Sequence, residues 1–87
     1  MYAFEFDKNK SASNLNQHGI DFITVQELWN DPDLIEIQAT SDSEARFLLV
    51  GRIKEKHWSA VITYRENKIR IISVRRSRKS EVELYEI

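Results

Sequence analysis

Four residues near the end of the chain have side chains suited to chemistry on a phosphate group: Arg70, Ser73, Arg75 and Arg76. The guanidinium fork of arginine matches two phosphate oxygens, and its charge persists at any working pH. Because alternate residues of a regular strand share a face, we expect Ser73 and Arg75 to point together, and Arg70 and Arg76 to point the other way. A twist, or a turn after Val74, would then be needed to bring all three arginines to one phosphate.

The chemistry that fits such a cluster is RNA cleavage without a metal. This reaction needs the 2'-hydroxyl deprotonated, the phosphorane charge stabilised and the leaving 5'-oxygen protonated. Arginine can meet the second need, and His, Lys or Tyr the others. His18 is the best titratable candidate because the pKa of histidine lies near neutrality. It also precedes Gly19 at an expected helix end, where a cation is favoured by the helix dipole, so a structural role is equally open. For the arginines, the alternative is a solvated strand end with surface ion pairs to Glu81 or Glu83.

Other classes of site lack support. The chain has no cysteine and two histidines, His18 and His57, which belong to different segments without a partner at ligand spacing. Its two glycines cannot build a phosphate-binding or dinucleotide loop, and no nucleophile motif occurs. We therefore expect no metal and no cofactor.

Charge is divided unevenly along the chain. Residues 1–44 hold two basic and nine acidic residues, a net charge of −7, whereas residues 45–87 hold eleven basic and five acidic residues, a net charge of +6. Such asymmetry favours a polyanion partner such as RNA, although two halves that neutralise each other would give the same count. Further cations expected to bind the RNA backbone are Lys8, Lys10, Arg46, Arg65, Arg78 and Lys79.

A chain of 87 residues has room for a single domain, which we expect to span residues 1–87. The absence of cysteine, of a secretory signal pattern and of a long apolar run predicts a cytoplasmic protein that does not contact membranes.

Two helices are predicted in the first part of the chain, after a short strand at Tyr2–Phe6. Asp7 can cap the first helix, which should run to about His18, with Gly19 as its left-handed stop. The second is announced by a capping box of Thr24 and Glu27. It should bury Val25, Leu28 and Trp29 and end before Pro32.

The pattern then changes to the period of two that is typical of strands, with turn residues at positions 40–43. The predicted strands are Leu34–Gln38, Arg46–Lys54, His57–Tyr64 and Ile69–Arg76, with Gly51 as a bulge or a point of close approach. Ser80 and Glu83 form a second capping-box pattern for a last short helix. The prediction is an α+β fold with an antiparallel sheet, two N-terminal helices and a short C-terminal helix, in the order β-α-α-β-β-β-β-α.

These residues resemble the BrnT toxin family over nearly the whole chain. The matching pieces are FEFD at 4–7, NLNQHGIDF at 14–22, DP at 31–32, EARF at 44–47, Gly51, TYR at 63–65, IRIISVRRS at 69–77, Glu81 and Tyr85. The most specific pieces are N-L-x-x-H-G and R-I-I-S. Three positions depart from the family pattern: Phe6 replaces a usual Trp, Val74 a usual Ala and Arg76 a usual Lys. If that lysine titrates during the reaction, Arg76 would weaken activity.

The resemblance implies a RelE-like fold and a metal-independent endoribonuclease toxin of a type II toxin–antitoxin system that stops translation. It also implies a BrnA-like ribbon-helix-helix antitoxin that neutralises the toxin and through which alone the complex binds operator DNA. A second hypothesis is a non-catalytic RNA-binding or antitoxin-binding module with the same fold. A third is a sheet protein whose basic end binds another protein.

Overall fold

A five-stranded mixed sheet forms the centre of the computed structural model, which describes residues 2–39 and 44–87. The strands are β1 (Phe4–Glu5), β2 (Ile35–Ala39), β3 (Arg46–Ile53), β4 (Lys56–Arg65) and β5 (Lys68–Arg76). The helices are α1 (Lys8–His18), a 3₁₀ helix (Thr24–Asn30) and α2 (Lys79–Tyr85). The predicted α+β class is confirmed, and the predicted turn at residues 40–43 lies outside the described residues.

The sheet is not purely antiparallel, which corrects the prediction. Its strand order is β1-β5-β4-β3-β2, and β1 pairs with β5 in parallel, with Phe4 opposite Ile69. The other neighbouring strands pair antiparallel. Strands β2 to β5 form a meander because short turns join β3 to β4 and β4 to β5. Strand β1 lies on the side of β5 away from β4. Helix α1 and the 3₁₀ helix connect it to the meander.

Helix α1 begins and ends where the sequence predicts. The Asp7 carboxylate accepts hydrogen bonds from the backbone N–H groups of Asn9 (2.8 Å) and Lys10 (3.2 Å). Gly19 adopts a left-handed conformation with φ of 79°, and its N–H donates to the Leu15 carbonyl at 2.9 Å. Both ends of the helix thus satisfy backbone groups that a helix otherwise leaves unpaired.

The second helix differs from the prediction in its type and its cap. It is a 3₁₀ helix, and the Thr24 side chain caps nothing. Asp21 holds its start, because its Oδ1 accepts from the N–H groups of Ile23 (3.2 Å) and Thr24 (2.7 Å). Hydrogen bonds from Thr24 lower the pKa of Asp21. The helix is short because Asp21 fixes one end and the Asp31–Pro32 turn the other.

Helix α2 also begins differently from the prediction. Its first residue is Lys79, and Glu81 instead of Glu83 accepts a hydrogen bond from the Arg78 N–H, at 2.8 Å. The pairing of Ser80 with Glu83 as a capping box is therefore wrong. Glu81 is held by further contacts that only the tertiary structure supplies, as the site below shows.

The two faces of the sheet have different coverings. The core face carries Ala60, Ile62, Ile71 and Val74, which pack in one apolar cluster with Phe22, Val25 and Leu28 from the helical part of the chain. The opposite face carries Ser59, Val61, Ser73 and Arg75 in paired positions, and α2 covers one end of it. Phe22 and Trp58 are buried, as predicted, and Trp29 is half-buried against the cluster.

Gly51 is a point of close approach, which is one of the two roles predicted for it. A Cβ atom there would lie 2.8 Å from Leu34 Cδ1 and 2.9 Å from Leu28 Cδ2. The strand pairing is regular at Gly51, and the bulge lies in the β4–β5 pair instead.

Candidate functional site

A shift in strand register puts Arg70 on the same face as Ser73 and Arg75. In the β4–β5 pair, Ser73 lies opposite Val61 but Ile71 lies opposite Ile62, so Ile72 is an extra residue. Such a bulge reverses the alternation of side chains on its own strand. Arg70 therefore pairs with Thr63 on the opposite face, where Arg75 pairs with Ser59. The prediction that Arg70 points away from Ser73 and Arg75 is wrong, because it assumed a regular strand.

Arg76 alone lies on the core face. It pairs with Trp58, and its guanidinium carbon lies 5.5 Å from the centre of the indole ring. This is the geometry of a cation–π contact. The three arginines therefore do not converge on one phosphate from one side of the sheet. Arg70 and Arg75 share a face, and Arg76 lies around the end of β5.

Arg75 is held by a buried carboxylate. Its Nη1 and Nη2 donate to Glu81 Oε1 and Oε2, each at 2.7 Å. The side chain of Glu81 is 9% exposed and that of Arg75 is 30% exposed. The hydrogen bonds from Arg75 are the main reason that the pKa of Glu81 falls to about 2. The ion pair with Glu81 that the sequence suggested is therefore present, but it is buried instead of lying on the surface.

Arg70 has a looser partner. Its Nη1 lies 3.8 Å from a carboxylate oxygen of Glu5, its neighbour in the β1–β5 pair, and both side chains are about one-third exposed. Arg70 lies opposite Thr63 of β4, and Arg75 lies opposite Ser59. These two β4 residues are four positions apart, which is roughly 13 Å along the strand. Side chains at this spacing can contact two different phosphates of one nucleic-acid strand.

His18 lies at the same end of β5 as Arg75 and Arg76. Strand β1 pairs with β5 at Arg70, and helix α1 follows β1. Further along this helix, Asn14 accepts a hydrogen bond from the backbone N–H of Val74 in β5. His18 is one turn further on and is exposed. Within residues 2–39 and 44–87, its side chain makes no hydrogen bond or ion pair. Its position is open to a substrate at the edge of the sheet.

The further predicted cations are spread over the molecule. Arg78 and Lys79 lie at the start of α2, near Arg75, and both are exposed. Arg65 lies six residues after Ser59 in β4, or roughly 20 Å away, and forms an ion pair with Glu44 at 3.2 Å. The other three exposed cations of this set are Lys8 and Lys10 at the start of α1 and Arg46 at the start of β3. These residues do not form one compact patch.

Two serines belong to the site although the sequence gives no signal for them. The Ser59 hydroxyl donates to Glu81 Oε1 at 2.8 Å, so the Ser77 hydroxyl, 2.8 Å from Ser59 Oγ, must donate to Ser59. Ser59 lies in β4 and Ser77 directly follows β5, and the β4–β5 pairing and the return of α2 bring this pair to Glu81. Only the three-dimensional pairing identifies this network.

A second polar group lies under the end of α2. The Tyr85 hydroxyl donates to Asp31 Oδ2 at 2.8 Å, and the half-buried His57 ring meets the Tyr85 ring edge-on, with 5.1 Å between centroids. Burial and the hydrogen bond to Asp31 raise the pKa of Tyr85 to about 12. Tyr85 therefore keeps its proton at neutral pH.

Among residues 2–39 and 44–87, no group of three or more His, Asp or Glu side chains is arranged to hold a metal ion. None of the described helices is long and apolar enough to cross a membrane.

Comparison with known families gives a match over most of the chain. A family model described as "Ribonuclease toxin, BrnT, of type II toxin-antitoxin system" matches residues 6–81. This range holds α1, the arginines of β5 and Glu81. A comparison with curated proteins found no match.

Proposed function

Because this chain belongs to the BrnT family of ribonuclease toxins of type II toxin–antitoxin systems, we propose that it cleaves RNA at the end of β5 without a metal ion. The observation that carries this site is the register shift that places Arg70, Ser73 and Arg75 on one face. Arg75 stabilises the negative charge of the phosphorane, and Arg70 binds a neighbouring phosphate. The fold is of the RelE type, and the protein acts in the cytoplasm.

His18 is the proposed acid or base of this reaction. It is exposed at the same end of β5 as Arg75, and imidazole is the side chain most often used for general acid–base catalysis. Arg76 cannot take that role because its guanidinium does not lose its proton. It binds RNA instead, from its place against Trp58.

The proposed partner is a BrnA-like ribbon-helix-helix antitoxin, which alone would carry the complex to operator DNA. Beside the arginines, the opposite face of the sheet presents half-buried apolar side chains, among them Ile35, Ile37, Leu48 and Val61. An antitoxin segment with apolar and acidic residues would match this surface in both hydrophobicity and charge. Bound there, it would deny RNA access to Arg70 and Arg75.

Inducible expression tests the proposal. The chain is expressed alone and together with the gene next to its own, while growth and the integrity of total RNA are followed. We expect growth arrest and RNA cleavage with the chain alone, relief by the neighbouring gene, and neither effect with His18→Ala or Arg70→Ala. If expression of the chain alone stops translation but leaves total RNA intact, RNA cleavage is contradicted.

One observation favours the second candidate, a non-catalytic RNA-binding or antitoxin-binding module. Arg70 and Arg75 both face carboxylates, Glu5 and Glu81, and Arg76 lies on an indole ring. If these contacts outcompete phosphate, the protein binds a partner without cleaving RNA. Purified protein that binds RNA and leaves it intact would support this candidate.

A further inference from the structure

The contacts of Glu81 extend the candidate site to helix α2. Residue Glu81 is 7% exposed, and its carboxylate accepts four hydrogen bonds. The donors are Arg75 Nη1 and Nη2, the Ser59 hydroxyl and the Arg78 N–H. A buried carboxylate this fully satisfied has one orientation, so the group that it holds is also fixed.

The way in which Glu81 grips Arg75 leaves one edge of the guanidinium available. Glu81 binds the end of the group, through Nη1 and Nη2, and a second Nη1 hydrogen bond runs to the Arg76 carbonyl at 3.2 Å. The remaining donors are the Nε–H and one Nη2–H, which lie side by side along the same edge. Within the described residues no acceptor binds this edge, and 30% of the Arg75 side chain is exposed.

We propose that Glu81 is a positioning residue that holds Arg75 by its end, so that the Nε–H and Nη2–H edge binds two non-bridging oxygens of an RNA phosphate. This inference rests on the proposed function and names the ligand chemistry of that site. Glu81 does not compete with the substrate, because it uses the end of the guanidinium and the phosphate uses the side. Helix α2 is thereby part of the site through Glu81, which itself does not touch RNA.

A fixed fork serves a reaction whose charge develops at the phosphorus. A guanidinium free to rotate binds a phosphate almost as well, but it must be ordered again in the transition state. Loss of the Glu81 carboxylate should therefore reduce kcat more than it changes RNA binding. If Glu81 instead blocked Arg75 until RNA displaced it, loss of the Glu81 carboxylate would increase kcat.

The test compares three variants of the full chain on a mixed-sequence RNA oligonucleotide. Glu81→Gln keeps the shape of the side chain but replaces one acceptor oxygen by a donor. Arg75→Lys keeps a positive charge beside Glu81 but lacks the fork. Glu83→Gln makes the same charge change as Glu81→Gln at an exposed position of the same helix and is the matched control. Binding is measured separately with a 2'-O-methyl RNA of the same sequence, which cannot react.

We expect kcat to fall roughly 10- to 100-fold in Glu81→Gln and in Arg75→Lys. Binding of the 2'-O-methyl RNA should change by less than about threefold in Glu81→Gln, and Glu83→Gln should match the parent chain. If Glu81→Gln cleaves as fast as the parent or faster, positioning is wrong. If Glu81→Gln does not fold, the proposal is tested by Arg75→Lys. Full activity of that variant would show that two-point binding of the phosphate by the Arg75 guanidinium is wrong. A parent chain that cleaves no RNA overturns the proposed function instead, and this inference with it.

Discussion

Asn14 ties helix α1 to strand β5 through the backbone of Val74. Its Oδ1 accepts from the Val74 N–H at 3.1 Å, and its Nδ2 donates to the Ile20 carbonyl at 2.8 Å. Asn14 is the first residue of the N-L-x-x-H-G pattern, and it is buried. The pattern therefore includes a structural residue, whose amide fixes the helix that carries His18 against the strand that carries the arginines.

Replacing Asn14 by Leu should destabilise the protein. The Val74 N–H and the Ile20 carbonyl would lose their partners inside the protein, at a cost of about 3 kcal/mol for the two groups. Thermal unfolding should show Tm lower by about 15 °C in a chain of this size. Asn16→Leu, at an exposed position of the same helix, is the control and should leave Tm nearly unchanged. Equal stability of the two variants would show that the Asn14 bridge contributes little.

Replacing Arg70 by Ala should reduce RNA cleavage without harm to the fold. Loss of an oriented charged donor costs on the order of 3 kcal/mol of barrier, which is about 100-fold in rate. The Glu5 pair is long and one-third exposed, so its loss should cost at most about 1 kcal/mol of stability. Cleavage rate and unfolding by denaturant measure the two effects. Full activity in folded Arg70→Ala protein would remove Arg70 from the site.

Replacing Arg75 by Ala should reduce both cleavage and stability. A surface ion pair with Glu81, the alternative that the sequence raises, would contribute little to stability. The structure corrects this view, because removal leaves the buried Glu81 carboxylate without its main partner. We expect a loss of about 3 kcal/mol in the free energy of unfolding, measured in urea. An unchanged unfolding midpoint would mean that the ion pair does not stabilise the protein.

Glu81 should make stability depend on pH under acid conditions. Its pKa is lowered from the ordinary value of 4.5 to about 2 in the folded protein, so the folded state favours the ionised form. This contribution, about 3 kcal/mol, is fully present above pH 4.5 and is lost as pH falls towards 2. The free energy of unfolding of Glu81→Gln should change less with pH across this window. Parallel curves for the variant and the parent would contradict the assignment.

Cleavage should not need a divalent ion. The proposed groups are cationic or protonic, and arginine supplies the charge that a metal would otherwise supply. Purified protein should cleave RNA at an unchanged rate in excess EDTA. Loss of activity with chelator and its return with Mg²⁺ would show that a metal takes part.

The sequence predicts local structure well and the site less well. Asp7, Gly19 and Pro32 act through their own backbone or a neighbour a few residues away, so the ends of their helices could be predicted. The face of Arg70 could not, because the bulge at Ile72 arises from pairing with β4. The role of Glu81 could not be predicted either, because the capping-box pattern in this part of the sequence pairs Ser80 with Glu83. Its true partners Ser59 and Arg75 come from other elements.

The parallel pairing of β1 with β5 has a consequence for how the chain folds. The pairing of Phe4 with Ile69 joins the first strand in the sequence to the last, because β1 lies next to β5 at the edge of the sheet. Contacts between residues so far apart in sequence carry a large loop-closure entropy and tend to form late. Arg70 meets Glu5 in this same step, and α1 is brought alongside β5 by it. A ribosome-bound fragment that ends before β5 therefore lacks Arg70, Arg75 and the strand with which β1 pairs, so the proposed site can assemble only after β5 has emerged.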